Sequence, residues 1–191
     1  MAKITLGPGT FLYPMPTTLV GANVDGKANF LAIAYCGIVQ HTPPLIAVTL
    51  GKKHYTNQGV KDNKTFSVNI PSQDMAEVTD YMGIKSGRQI DKSSVFTVYY
   101  GKLSTAPLIE EAPLALECEL VQTLDFGGTN EVFIGRIVQA YADEEVLTDD
   151  LPDMSKLRPL LFSMHDNSYW SVGERIGKAW SMGLNYEERN K

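Results

Sequence analysis

Apolar and polar positions alternate most clearly beyond the middle of the chain, where Leu116, Cys118, Leu120 and Leu124 interleave with Glu117, Glu119 and Thr123. The run Asp125-Phe126-Gly127-Gly128-Thr129-Asn130 is rich in turn formers, and residues 132–140 lead back. This pattern predicts a long antiparallel hairpin. Phe66, Val68 and Ile70 repeat the two-residue period against Ser67 and Asn69, a half-buried strand closed by Pro71. Residues 17–23 are apolar and β-branched, follow Pro14 and Pro16, and end in Val24-Asp25-Gly26-Lys27, which reads as a strand entering a tight turn. Residues 29–35 are a second extended candidate, diluted by alanines. Residues 45–50, after Pro43-Pro44, form a short apolar strand expected to be buried on both faces.

Helical signals are few. Residues 57–63 suit one or two turns, and Ser72 is an N-cap candidate for a helix carrying Asp74 and Glu77 early and Met75, Val78 and Met82 as apolar contacts. Gly83 and Gly87 bracket a loop containing Lys85, Ser86 and Arg88. At least six strands joined by short helical pieces predict a mainly β protein, a barrel or closed antiparallel sheet rather than a βαβ series. With no internal repeat and no dividing linker, residues 1–191 are expected to form one domain. Residues 166–190 gather Tyr169, Trp170, Trp180 and Tyr186 among glycines. Such a tail is expected to pack over something: its own core, a partner subunit or a planar ligand.

Bulk properties narrow the function. The 191 residues are 43% hydrophobic and 20% charged, with a formal net charge of -5, a globular composition rather than a disordered one. No dense Lys/Arg cluster exists, so no nucleic-acid partner is expected. No apolar run approaches the roughly 20 residues of a membrane helix. The opening six residues, followed at once by Gly7-Pro8-Gly9, are too short and polar for a signal peptide. Cys36 and Cys118 alone form no disulfide framework. The expectation is a cytoplasmic protein with no membrane partner.

No strong catalytic motif is present. A strand-linked Gly-x-Gly-x-x-Gly, a P-loop, His-Glu-x-x-His and Gly-x-Ser-x-Gly are all missing, which argues against a Rossmann dinucleotide domain or a serine hydrolase. His41, His54 and His165 are far apart in sequence, and no metal site is expected of them. Lys52-Lys53-His54-Tyr55-Thr56 is the foremost anion-binding candidate, with ammonium groups and hydroxyls at a strand end that leads into a short helix. Its competing reading is a solvated charged turn. Lys85-Ser86-Gly87-Arg88 is a second candidate. Cys36 follows small and apolar residues, and reads more readily as a buried hydrophobe than as a nucleophile.

Several segments together resemble the flavin-reductase-like, FMN-binding split-barrel family, its flavoredoxin branch above all. They are Pro14-Met15-Pro16-Thr17-Thr18-Leu19-Val20-Gly21-Ala22, Gly26-Lys27-Ala28-Asn29-Phe30, Pro43-Pro44 before the strand at 45–50, Phe66-Ser67-Val68-Asn69-Ile70, and Tyr169-Trp170-Ser171-Val172-Gly173-Glu174 with Ile176-Gly177. The resemblance implies a Greek-key, antiparallel split β-barrel with short helical additions, forming a homodimer with one FMN per subunit near the interface. It places Asn29, Ala34, Tyr35 and Cys36 beside the flavin ring, with Thr17 and Thr18 approaching from the first strand. Thr49, Leu50, Gly51, Lys53, Tyr55 and Thr56 are placed by it along the ribityl chain and phosphate. Lys85, Ser86 and Lys92 are further carry-overs, and Trp170 is a lid or a dimer contact.

The implied chemistry is hydride or electron transfer through flavin N5, which demands no separate acid or base. Two functions follow. One is an NAD(P)H-dependent flavin or ferric reductase. The other is a flavoredoxin-like electron-transfer protein reduced by a redox-protein donor without direct NAD(P)H use. A flavin- or haem-binding barrel without catalysis is a third, lesser reading.

Overall fold

In the computed structural model, which describes residues 1–184 and 186, the expected tight turn is present. Asp25 and Gly26 both take positive φ, 51° and 79°, and fold strand β1 (Thr18–Val24) straight back onto β2 (Lys27–Ile33). Positive φ at both turn positions matches the right-handed twist of the paired strands. Gly26 adopts that conformation without the steric cost of a side chain.

The main sheet continues with β3 (Cys36–Gln40), β4 (Leu45–Gly51), β5 (Thr65–Ile70), β6 (Leu114–Leu124) and β7 (Asn130–Ala142). Its order is β2-β1-β5-β6-β7-β4-β3, antiparallel throughout. Strands β4 to β7 stand as β5-β6-β7-β4, the Greek-key order expected of a split barrel. The chain steps from β2 to β3 through Ala34 and Tyr35, and the amide of Thr49 donates to the carbonyl of Tyr35 at 2.9 Å. The long hairpin is β6 and β7, with Ile134 opposite Gln122 and irregularities that coil it around the barrel.

The barrel interior is filled by Val20, Leu31, Ile33, Ile46, Val48, Leu50, Phe66, Val68, Cys118 and Phe133. Strand β4 corrects one expectation. Ile46, Val48 and Leu50 are buried while Leu45, Ala47 and Thr49 are only half-buried, so one face alone is fully enclosed. Strand β5 errs the other way: Ser67 and Asn69 are as inaccessible as Phe66. The segment around Pro107 and Ile109 covers that face. Ser67 Oγ donates to the carbonyl of Pro107, and Asn69 Oδ1 accepts the amide of Ile109.

A second core of Leu19, Phe30, Met75, Met82, Phe96 and Ile109 lies outside the barrel. Strand β2 is therefore buried on both sides, which its alanine-rich sequence conceals. Helix α1 (Thr56–Asn63) lies against β1, so close that a Cβ at Gly59 would stand 2.2 Å from the carbonyl oxygen of Asn23. Ser72 does not cap a helix as expected. A 3-10 turn at Gln73–Met75 intervenes, and α2 (Ala76–Ile84) begins after it with Gly83 in its last turn.

A small sheet not foreseen in the sequence joins Met15–Pro16 to β8 (Leu161–Ser163) and β9 (Ser168–Trp170). Of residues 166–190, expected to cover a core, a partner subunit or a planar ligand, Tyr169 packs against Phe162 of the small sheet, while Ile176 is 90% and Trp180 97% exposed. Residues 185 and 187–190 of that tail lie outside the described residues. No described helix is long and apolar enough to cross a membrane.

Candidate functional site

Two adjoining basins, of about 400 Å³ and about 200 Å³, meet at His54 and Gly83. The larger is enclosed by the end of β2 and its exit (Ala32, Ile33, Ala34, Tyr35), by Thr17, by Thr49 and Gly51 of β4, by Asn130, and by Phe162, Met164 and Tyr169 around the β8–β9 hairpin. Most of its exposed lining is apolar, so it suits a flat, largely hydrophobic body. One group in it stands out. The Thr17 hydroxyl is buried and has no hydrogen-bond partner, a state that costs free energy until a partner arrives.

The smaller basin is polar. Lys53, His54, Tyr55 and Thr56 enter from the loop that ends β4 and opens α1. Asn29 and Leu31 come from β2, and Lys85, Ser86, Gly87 and Lys92 from the segment after α2. Asn29 Nδ2 donates to Thr56 Oγ1 at 2.8 Å, which ties the first residue of α1 to the strand. Helix α1 carries no acidic residue in its first turn, so its positive end is uncompensated.

Tyr55 is held by two neighbours. Its hydroxyl donates to Asp25 Oδ2 at 2.7 Å, which raises its pKa, and the Arg88 guanidinium sits 4.7 Å over its ring. Gly87 packs into this corner, where a Cβ would stand 2.0 Å from Asn29 Oδ1 and 2.8 Å from the Tyr55 ring.

No Asp or Glu lines either basin. Lys53, Lys85 and Lys92 therefore make a local positive site inside a protein of net charge -5. Lys92 is only 3% exposed, and its ammonium donates to the carbonyls of Phe30 at 2.8 Å and Met82 at 2.7 Å. Burial lowers its pKa from 10.5 to about 8. His54 is pulled below its ordinary value by burial and then by the Lys92 charge. Its Nδ1 accepts the Gly51 amide at 3.2 Å.

Of the residues expected at the site, Thr17, Ala34, Tyr35, Thr49 and Gly51 line the larger basin. Asn29, Lys53, Tyr55, Thr56, Lys85, Ser86 and Lys92 line the smaller. Thr18, Cys36, Leu50 and Trp170 line neither. Leu50 is wholly inside the barrel, and Cys36 packs against the same core. Burial pushes the Cys36 thiol up to about 11, opposed by the Thr18 hydroxyl beside it, so it is not a thiolate near neutral pH. Trp170 is 55% exposed and donates its indole N–H to Ser163 Oγ at 2.8 Å. Its neighbour Tyr169 faces the basin instead, with its hydroxyl on Asp80 Oδ1 at 3.0 Å and its pKa pushed up to about 12, chiefly by burial.

Sequence reasoning missed Phe162 and Met164, which lie around the unforeseen small sheet, and it named Tyr169 only as one of the tail aromatics expected to cover a core, a partner or a planar ligand. His54, named in the anion-binding run 52–56 but not among the residues the resemblance places at the flavin, lines both basins. Lys52 of that run turns away and pairs with Asp125 at 2.7 Å.

Comparison with solved structures covers most of the chain. It is 47% identical to flavoredoxin from Methanosarcina acetivorans, with a TM-score of 0.94 over 97% of this chain and 100% of that one. Against flavoredoxin of Desulfovibrio vulgaris (Miyazaki F) the values are 38%, 0.88, 95% and 100%. Against an FMN-binding protein from Thermus thermophilus, solved with bound p-hydroxybenzaldehyde, they are 25%, 0.78, 93% and 97%. The family described as flavin reductase like domain matches residues 10–169. With its split barrel and that match over most of its length, the chain belongs to the flavin reductase like domain family.

Proposed function

We propose that this protein is an FMN-binding oxidoreductase of the NAD(P)H-dependent flavin or ferric reductase type. The observation that carries the reading is the joined pair of basins, one mostly apolar and one lined by three lysines without a carboxylate. A flavin mononucleotide has that same division, a planar ring at one end and a phosphate at the other. The buried Thr17 hydroxyl, which lacks a partner, also fits a ring bearing hydrogen-bonding atoms.

In this reading Ala34, Tyr35, Thr49, Phe162 and Tyr169 hold the ring and keep water from it. Lys53, Lys85 and Lys92 neutralise the phosphate, with Thr56, Ser86 and loop amides as further donors. FMN supplies hydride or electron transfer at N5 when bound, and the chain supplies orientation, access and local potential. The larger basin opens to solvent, which leaves a route for a reductant. The name of the Thermus thermophilus relative, an FMN-binding protein, supports FMN as the flavin.

A second reading rests on the 47% identity to a flavoredoxin: a protein that keeps FMN and receives electrons from a redox-protein donor. Both readings take the molecule as a homodimer. Edge strand β3 supports this, because it leaves Ile38 and Val39 more than half exposed, and an apolar unpaired edge needs cover.

An anaerobic absorbance spectrum before and after NADH or NADPH separates the two. Bleaching of the flavin band on mixing supports the reductase. A band that persists with pyridine nucleotide yet bleaches with dithionite supports the carrier. No flavin band after FMN is added overturns both.

A further inference from the structure

His54 stands where the two basins meet, and the fold fixes its tautomer. Because Nδ1 accepts the Gly51 amide, the neutral ring carries its proton on Nε2. Gly51 lies directly under the ring, where a Cβ would come within 3.2 Å of Cε1. The imidazole is thus latched to the loop that shapes the anion basin.

We propose that His54 is a proton-linked ligand of the cofactor's phosphate: it is neutral and latched in the empty protein, and takes up one proton from solvent as FMN enters. This inference rests on the FMN reading above. The incoming proton bonds to Nδ1, which then cannot accept from the Gly51 amide, so the latch opens and the imidazolium faces the anion.

Electrostatics give the sign. Without the cofactor, burial disfavours the imidazolium, and the Lys92 charge adds to the effect. The other titratable groups of the two basins are Lys53 and Tyr55 on the same loop, Lys85 after α2, and Tyr35 and Tyr169 across the larger basin. None of them is a carboxylate that would favour imidazolium. A phosphate carrying between one and two negative charges reverses that balance and raises the imidazole's pKa. A group whose pKa rises on binding takes up protons between its empty and bound values, so FMN affinity increases as pH falls through that window. Lys92 titrates near 8 and Tyr169 near 12 in the empty protein, so neither interferes near pH 6.5. The cofactor's own phosphate loses protons on entering the lysines, in the wild type and in a His54 variant alike.

The test is isothermal titration of the purified protein with FMN at about pH 6.5, in buffers of different ionisation enthalpy, for wild type and His54→Gln. Riboflavin, which lacks the phosphate, is the parallel probe. The wild type is expected to take up more protons per FMN than the variant, with no difference for riboflavin. Equal proton counts for FMN in the two proteins overturn the proposal, as does an equal difference with riboflavin. Should His54→Gln fail to fold, an NMR titration of the wild-type His54 imidazole decides. Its pKa rises with FMN and stays put with riboflavin if the proposal holds; an unmoved pKa with FMN bound overturns it. If neither flavin binds, the FMN reading itself falls, and the proposal with it.

Discussion

Lys92 offers a quantitative check on the electrostatics of the site that needs no cofactor. Its ammonium is buried against two backbone carbonyls, and no carboxylate is bonded to it among the described residues. Its pKa falls from 10.5 to about 8 through burial. Between those values the folded protein binds fewer protons at this site than the unfolded chain, so stability at this site rises with pH. At about 1.4 kcal/mol per pKa unit, the charge costs about 3 kcal/mol at neutral pH, and about 2 kcal/mol of that is recovered by about pH 9.5. The neutral amine still has two hydrogens for the two carbonyls, so titration isolates the charge.

The assay is urea unfolding of ligand-free wild type and Lys92→Met at about pH 7 and about pH 9.5. The difference between the proteins cancels distant tyrosines and carboxylates. Wild type is expected to gain about 2 kcal/mol on the variant across that interval. A difference that stays flat, or moves the other way, refutes the placement of a charged, buried lysine.

Further predictions follow from the lysine basin, a close approach and an open edge. Lys53→Ala combined with Lys85→Ala should weaken FMN binding by about ten- to a hundredfold, since two charge-assisted contacts to phosphate are lost, with riboflavin changed by less than about threefold. Flavin fluorescence titration reads both. Gly59→Ala should destabilise the protein by about 2 kcal/mol or more, because its Cβ meets the Asn23 carbonyl at 2.2 Å and backbone cannot yield as a side-chain tip can. A thermal melt checks this, and an unchanged midpoint refutes the close packing of α1 on β1. In sedimentation velocity the wild type should run as a dimer, and Ile38→Lys with Val39→Lys should run as a folded monomer if the β3 edge is the contact.

The two-residue period explains what the sequence disclosed and what it hid. The β6–β7 hairpin was legible because one face of β6 is apolar for most of its length. Strand β3 was not, because Gly37, Ile38, Val39 and Gln40 are all exposed in this chain, so burial imposes no alternation on them. The same period sorts the candidate site residues. Thr17, Thr49, Gly51 and Tyr169 face the cavity, while their neighbours Thr18, Leu50 and Trp170 do not. A resemblance carried over as contiguous segments takes both faces of each strand. Register alone decides between them, and register depends on pairing partners distant in sequence. The run 52–56 was legible for a different reason: a loop has no alternating faces, and most of its polar side chains turn toward the same basin.

Nor did total charge foretell the site. The positive basin belongs to an acidic protein, and pairing creates it. Around the rim, Asp91 holds Lys27, Asp125 holds Lys52 and Glu131 holds Lys61, while Asp25 is occupied by Tyr55 and Gln58. Each of those carboxylates already has a partner, and none lines either basin. Lys53, Lys85 and Lys92 line the basin with no carboxylate partner among the described residues. The arrangement is sensitive at one point. Asp91 adjoins Lys92 in sequence and stays ionised, its pKa held down to about 2 by Ser93 and Lys27. Removing Lys27 would leave the Asp91 charge unbalanced beside Lys92, while the Ser93 amide and hydroxyl keep its Oδ1 in place. The Lys27–Asp91 pair is exposed and contributes little to stability by itself; its consequence is to balance a carboxylate that adjoins the one buried lysine of the basin.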